Sequence, residues 1–371
     1  MAIKDLHENP FNESTITKLG IFEDYAQAWI PTFVMQGRSP IRIFDFFAGT
    51  GYDKAGVAGS PIRILRKLRE QIGPIFSMKV KITVHLNEYE PNKRNQSKFQ
   101  LLQTACEEFL DDNRDLKRAI EVVFHNKDFE VLFPELKSDI ASVPSLVFLD
   151  QNGIKFLSPQ YLLELEKMRE TDFLYFASAS YLWRFGDVPE FTKHLQIDLQ
   201  ELQKEGYPFV HRNFIKQLRG TLPLNTKLKL YPFSLKKGSN IYGIIFGATH
   251  PAAFEKFLNI AWRANNINGE ADFDIDDDIS KRQGELFEPQ LSKLELFQRD
   301  VRERVLSGEF HDNIQLCNFS LEEGHPGKHA ADVVRKMKKA GEITFEGRSP
   351  MVNYEQAIKN KRKVDFTVLT K

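Results

Sequence analysis

The sequence predicts an α/β chain: a doubly wound, mostly parallel sheet followed by a small helical module with a β-wing. Three observations predict it. An apolar run, Ile41–Gly51, ends in Asp45 and opens into a glycine loop. Short β-like runs then alternate with stretches of helical periodicity, and after residue 265 the pattern gives way to an acidic stretch and a compact tail.

Taken in order, the first element is a helix over about Ser14–Phe33, where Ile16, Leu19, Phe22, Tyr25, Ala26 and Trp29 fall at three- and four-residue steps. Thr15, Thr17 and Lys18 near its start are within reach of a ligand, although capping and solvation also account for them. Ile41–Asp45 reads as a buried parallel strand, and Gly49 and Gly51 let the chain turn tightly at its carboxyl end, where open α/β sheets bind ligands. The loop Phe47-Ala48-Gly49-Thr50-Gly51 behind an aspartate is closer to the S-adenosylmethionine loop of methyltransferases than to the dinucleotide pattern. The latter needs a third glycine where this chain has Lys54.

Three more β-like runs follow, Val80–Leu86, Ile120–Phe124 and Ser145–Leu149, with helices predicted between them over Ile62–Ile72 and Lys93–Leu110. Each run leads to a carboxylate. In a parallel sheet the carboxyl ends share one edge, so Asp45, Glu88, Asp128 and Asp150 are expected to converge on a single crevice. There Glu88 suits the two hydroxyls of a ribose, Asp128 an adenine amino group, and Asp150 the acceptor that a methyl group would reach, which makes it the candidate catalytic residue. Asp45, Phe47, Gly49 and Gly51 complete the cofactor set. Each acid is equally at home as a plain strand-end or helix-capping residue.

Two features depart from a common methyltransferase layout. Tyr52–Pro61 lengthens the connection from Asp45 to Glu88, and Asp150-Gln151-Asn152-Gly153 lacks the paired prolines of the amino-methylating motif. Beyond it lie a helix over Pro159–Arg169, a strand Phe173–Ala177, and an aromatic-rich segment Ser178–Phe185 that suits either core packing or stacking on a base. Helical stretches over Glu190–Lys204 and His211–Leu218 precede strands at Leu228–Phe233 and Ile241–Gly247, which would close a seven-stranded sheet. Pro251–Ala264 reads as its last helix. This assigns residues 1–268 to the first domain, 269–289 to an acidic linker and 290–371 to the tail.

Of the linker aspartates, Asp272 does not start a calcium loop, because the sixth and twelfth positions are Asp277 and Gln283 instead of glycine and glutamate. A solvated linker is the expectation there. Within it, Gln283–Phe287 matches a Gln-x-x-Leu-Phe peptide of the kind that docks on bacterial sliding clamps. The tail offers a helix over Leu291–Leu306, a short strand near Ile314–Phe319, a turn at Glu323–Gly327, a basic helix over Lys328–Ala340 and two wing strands. That is the plan of a winged helix-turn-helix. Lys328, Arg335, Lys336, Lys338 and Lys339 are its nucleic-acid candidates, and His311, His325 and His329 are expected at the surface.

The totals set bounds. With 51 basic and 51 acidic residues among 371, the chain creates no bulk field, so any attraction to nucleic acid must be local. Two isolated cysteines argue against a disulfide framework or a thiolate metal site. The absence of a long apolar run or a basic–apolar leader makes a cytoplasmic protein the expectation.

With these pieces in order, the chain resembles the three-Cys-motif partner (TcmP) family of bacterial proteins. The residues behind the resemblance are Asp45–Gly51, Gly59-Ser60-Pro61, Asn87-Glu88, Phe148–Asp150 with Gly153, Tyr242–His250 and the winged-helix tail. The resemblance implies a Rossmann-like, methyltransferase-type fold, S-adenosylmethionine as cofactor, and a radical-SAM-like protein carrying three cysteines as partner. Where the family tends to have Asp-Pro-Phe-Gly, this chain has Asp150-Gln151-Asn152-Gly153. The expected function is methyl transfer to a nucleic-acid base in DNA or RNA. The alternative is a non-catalytic subunit that recruits the three-cysteine protein to nucleic acid.

Overall fold

A computed structural model describes residues 10–91, 97–151, 159–168, 170–185, 197–279 and 291–369. The chain divides into two compact units, Met1–Thr249 and His250–Lys371.

The first unit is organised by a seven-stranded sheet with the order β3-β2-β1-β4-β5-β7-β6. Its strands are β1 (Ile41–Asp45), β2 (Ile82–Asn87), β3 (Ile120–His125), β4 (Ser145–Leu149), β5 (Thr171–Ala177), β6 (Lys229–Lys237) and β7 (Asn240–Ala248). The first five pair in parallel, and β7 runs antiparallel to both β5 and β6. From β1 the chain builds outward through β2 and β3, then returns to place β4 on the other side of β1. That reversal is a topological switch point, where open α/β sheets place their ligand crevice outside the carboxyl ends of the strands, here β1 and β4.

Parallel strands buried on both faces need continuous apolar sequence, and β4 is buried along its whole length. Helix α1 (Glu13–Val34), started by the Asn12 side chain accepting the Thr15 N–H, covers one face. Its residues Phe22 and Tyr25 meet that face: Phe22 stacks on Phe148 at 3.9 Å, and Tyr25 lies 4.8 Å from Phe246 and donates to Asp172 at 2.7 Å. Beside α1 lies α2 (Ser60–Glu70), followed by α3 (Ile72–Ser77), α4 (Ser97–Asp112) and α5 (Arg114–Ala119). On the opposite face Phe46 packs against Phe129 and Phe133 of α6 (Phe129–Ser142). There too the ring of His85 stacks on Phe44, and burial pushes its pKa down to about 4.

The remaining helices of this unit are α7 (Pro159–Glu166), α8 (Ala179–Phe185), α9 (Leu199–Gln203) and α10 (Val210–Thr221). The segment considered for base stacking is thus helix α8. Leu182 is fully buried in it, Trp183 meets Tyr207 edge-on and Tyr181 stays exposed. Two glycines of β7 have a packing reason: a Cβ on Gly243 would meet the His211 ring at 2.1 Å, and one on Gly247 the Phe173 ring at 2.0 Å.

The second unit begins with α11 (Pro251–Ala264), so the helix expected to close the sheet domain groups with the tail. Residues 269–279, read from sequence as solvated linker, form a folded loop. Asn268 donates to Phe273 O, Asp274 caps the N–H groups of Asp278 and Ile279, and Ala271 and Ile275 are buried. Three helices follow: α12 (Lys293–Leu306), opened by a Ser292/Glu295 capping box, α13 (Asn313–Glu322) and α14 (Gly327–Lys339). Strands β8 (Ile343–Thr344) and β9 (Thr367–Val368) pair antiparallel as the wing.

The short strand expected near Ile314–Phe319 is therefore a helix. Asp312 caps it by accepting the N–H groups of Ile314 and Gln315, and Leu316, Cys317, Ser320 and Leu321 bury one helical face. His325 and His329 are also corrected, because both are buried while His311 stays exposed. Phe297 stacks on His325 at 3.9 Å, Trp262 contacts both rings, and the two Nδ1 atoms lie 3.0 Å apart. Burial, with the Lys293 and His329 charges adding, pushes His325 down to about 2; burial and the neighbouring Lys328 take His329 to about 4.

Gly247→Ala is expected to lower the urea midpoint by the equivalent of about 1–3 kcal/mol, because Phe173 has no room to retreat inside the sheet. An unchanged midpoint would show that the ring repacks freely.

Candidate functional site

The crevice is built where β1, β2 and β4 end. Phe46 N–H, just past β1, donates to Phe148 O at 3.1 Å, and Ala48 N–H donates to Asn87 O at 2.9 Å, so the glycine loop is stitched to both neighbouring strands. Asn87 is 2% exposed and its side chain fixes three backbone groups. Nδ2 donates to Phe46 O and Lys127 O, each at 3.0 Å, and Oδ1 accepts the Lys127 N–H at 3.0 Å. Glu88 follows directly and accepts the Gly49 N–H at 2.9 Å.

Asp45, Phe47, Gly49, Gly51, Glu88 and Asp150 thus meet at one rim, as the parallel pattern requires. Gly49 and Gly51 both adopt positive φ, 69° and 86°. At Gly51 a Cβ would come within 2.7 Å of Ala105 Cβ, so close packing on α4 is one reason for this glycine. Phe47 stacks on Phe129 at 5.7 Å. Asp128 caps α6 by accepting the Glu130 N–H at 2.9 Å through Oδ1, the helix-cap alternative raised from sequence; a carboxylate still has lone pairs for another donor.

Asp45 is the unusual member. It is 1% exposed, Oδ1 accepts the Phe47 N–H at 3.2 Å, and Oδ2 has no partner of hydrogen-bonding geometry among the described residues. Burial raises its pKa to about 7; the Ser60 hydroxyl and Phe47 N–H oppose the shift, and the charges of Asp150 and Glu88 add to it. A buried carboxyl with an orphaned oxygen is costly in a protein that has nothing to put there.

The extended loop is ordered by a residue that sequence reading passed over. Asp53 accepts the N–H groups of Phe11, Ala55 and Val57 at 2.7, 2.9 and 2.8 Å, and these bonds outweigh burial to hold its pKa low. Tyr52 and Ala58 close the loop with a β-bridge. An aspartate followed by Ala55-Gly56 was the available signal.

Asp150 is ion-paired with Lys18 of α1, a lysine whose side chain is only 9% exposed. Its Nζ also lies 4.3 Å above the Phe176 ring, which stacks on Tyr242. Asn152 and Gly153 lie outside the described residues, as does the Gln283–Phe287 peptide. Among the described residues no three His, Cys, Asp or Glu side chains group as a metal site, and no helix is long and apolar enough to cross a membrane. Cys106 and Cys317 are free and buried, and burial pushes both thiols up to about 12.

In the second unit, α14 buries Ala330, Val333, Val334 and Met337 and exposes Lys328, Arg335, Lys336 and Lys339. At helical spacing these four form one stripe, shared with Asp332, which pairs with Arg335. Lys338 is turned inward: its Nζ donates to Phe345 O at 2.7 Å and Gly347 O at 3.0 Å and sits 3.9 Å over the Phe345 ring. Gly327 opens the helix where a Cβ would strike Val352 O at 2.3 Å.

A family model described as a GMT-like wHTH domain matches residues 273–350. The C-terminal unit therefore contains a winged helix-turn-helix domain, a module that suggests nucleic-acid binding. No curated protein matches the chain.

The Asp45 shift has a defined pH signature. The folded state keeps this proton up to about pH 7, whereas the unfolded chain releases it near 3.8. The group's contribution to stability is full below the lower value, declines as pH climbs between the two, and is flat above. Asp45→Asn should thus raise the urea midpoint near pH ~8, by on the order of a few kcal/mol, and change it little near pH ~4. Equal effects at both pH values would contradict the buried-carboxyl account.

Proposed function

We propose that the protein is an S-adenosylmethionine-dependent methyltransferase that acts on nucleic acid, with the domain plan of the three-Cys-motif partner family. The observation that supports it most is the rim itself: Asp45 at the end of β1, whose buried Oδ2 has no partner of hydrogen-bonding geometry among the described residues, and Glu88 just past the adjacent β2, braced on the Gly49 N–H. The order β3-β2-β1-β4-β5 is that of Rossmann-like nucleotide-binding sheets, and the antiparallel β7 inserted ahead of β6 agrees with a methyltransferase-type variant.

When bound, S-adenosylmethionine supplies an electrophilic methyl group on a sulfonium. In this reading Glu88 accepts hydrogen bonds from the ribose hydroxyls, and Asp128 with the start of α6 addresses the adenine. Asp45 offers its orphaned oxygen to a cationic group, a partner that would favour its ionised form. Asp150, at the end of β4, faces the acceptor. Methyl transfer needs alignment and exclusion of water more than proton chemistry, and a preformed crevice provides both. The exposed α14 stripe would hold the polymer by neutralising phosphates.

A second reading, a non-catalytic subunit that brings a radical-SAM-like protein to nucleic acid, is favoured by one observation: the Asp150 charge is already balanced by Lys18. Tritiated methyl transfer to bulk DNA and RNA separates the two. Incorporation that Asp150→Ala abolishes eliminates the second reading.

Calorimetry should show S-adenosylmethionine binding to the wild type and its loss in Glu88→Ala; no heat in either, or equal affinity in both, defeats the cofactor assignment. Removing Arg335 and Lys339 together should weaken duplex binding across sequences. The slope of log affinity against log salt should also flatten, by roughly one for each phosphate no longer neutralised. An unaltered salt slope would instead mark α14 as a protein-docking face.

A further inference from the structure

A buried lysine at the edge of a crevice needs a reason. Helix α1 turns Leu19, Phe22, Tyr25, Ala26 and Trp29 to the interior, and in the same stripe, one turn above Phe22, stands Lys18, itself 7% exposed. Burying an ammonium is costly unless it is paired. Its ion-pair partner is Asp150, with the Phe176 ring as the second surface it touches, and both lie at the carboxyl ends of β4 and β5. Phe176 and Tyr242 stack with their planes 9° apart and are each half-buried. The lysine is therefore held by charge on one side and a ring face on the other, and it holds the Asp150 carboxylate in return.

The crevice charge gives that arrangement a consequence. Asp45, Glu88 and Asp150 act on one another across it, since the latter two charges both raise the Asp45 pKa. Glu88 accepts the Gly49 N–H, and Asp150 has the Lys18 ammonium beside it. Lys18 is thus placed to set both the direction and the effective charge of Asp150.

We propose that Lys18 is the positioning residue of Asp150: it fixes this carboxylate toward the acceptor and offsets its charge, so that a cationic cofactor is not held too tightly before transfer. The proposal rests on the reading of the crevice as an S-adenosylmethionine site. It acts through Asp150, so Lys18 itself needs no contact with the reacting atoms.

The test compares full-length wild type, Lys18→Met and Lys18→Arg. Calorimetry with S-adenosylmethionine, which carries the sulfonium charge, and with S-adenosylhomocysteine, its uncharged thioether counterpart, reads the crevice charge without any turnover. Lys18→Met should shift preference toward the cationic ligand by roughly fivefold, the scale of one partly screened charge, and Lys18→Arg should leave it near wild type. Tritium transfer to nucleic acid should fall on the order of tenfold or more in kcat for Lys18→Met, with KM for the cofactor lowered in step with its tighter binding, and Lys18→Arg should recover most of the rate. Thermal melts confirm that each variant folds, and Asp150→Asn, which removes the charge being offset, should abolish the preference shift when combined with Lys18→Met.

Outcomes separate cleanly. If the wild type binds and transfers but the ligand preference is the same in all three proteins, the inference falls and the methyltransferase reading stands. If the wild type binds both ligands without transferring, the catalytic reading fails, and a preference shift confined to Lys18→Met still supports control of Asp150 by Lys18. If neither ligand binds the wild type, both fall.

Discussion

Asn87 is the joint on which the rim depends. Three parallel strands end near it, and each leaves backbone groups that no further ladder can satisfy. One side-chain amide answers three of them, joining the residue after β1 to the turn after β3 while its own carbonyl receives the Ala48 N–H. An aspartate there could not donate, and a leucine could do neither, so the position requires an amide. The adjacent Glu88 inherits that rigidity. Its bond to Gly49 is made between two segments whose backbone is already fixed, so holding this carboxylate in place costs little further conformational entropy.

Charge is distributed at this rim against the interest of stability. Three acids act on one another at this edge, Asp150 is ion-paired with Lys18, and the most buried of them, Asp45, has an oxygen with no partner of hydrogen-bonding geometry among the described residues. An apolar residue in place of Asp45 would remove the desolvation cost while giving up the bond that Oδ1 accepts from the Phe47 N–H. A buried acid of this kind is a local inconsistency of the sort that draws attention to a sheet's carboxyl edge. The buried histidines of the second unit make the contrast. His325 and His329 satisfy each other and pack between Phe297 and Trp262, so the same burial there leaves a neutral, closed cluster.

The sheet was legible because buried parallel strands have few disguises. Ile41–Asp45 and Ser145–Leu149 are short apolar runs with an acid at the end, and that acid must lie at the carboxyl edge whichever neighbour the strand chooses. Other features were invisible for physical reasons. The Lys18–Asp150 pair joins residues 132 apart, and nothing in helical periodicity distinguishes a lysine that solvates from one that reaches across a sheet. His325 stands in a Gly-His-Pro-Gly turn, a composition that ordinarily means surface, and it is the rings of Phe297, Trp262 and His329, none of them in that turn, that pack against it. Asn313–Glu322 alternates apolar and polar residues for a few positions and so imitates a strand. The cap at Asp312, which decides for helix, is a local signal that the alternation outweighed.

The basic helix of the wing domain shows how a charge run should be divided before it is given a function. Five cations lie within α14, and equal weight for each would imply five phosphates held. Lys338 does not belong in that set: its donors hold the carbonyls of Phe345 and Gly347, so it fastens the wing to the helix. Arg335 is partly offset by Asp332 one turn earlier. What remains outward is Lys328, Lys336, Lys339 and a tempered Arg335 along a single stripe, while Lys338 keeps the wing beside it in register. Such segregation gives a molecule of zero net charge a local positive stripe. The internal lysine is what makes helix and wing present one surface instead of two independent ones.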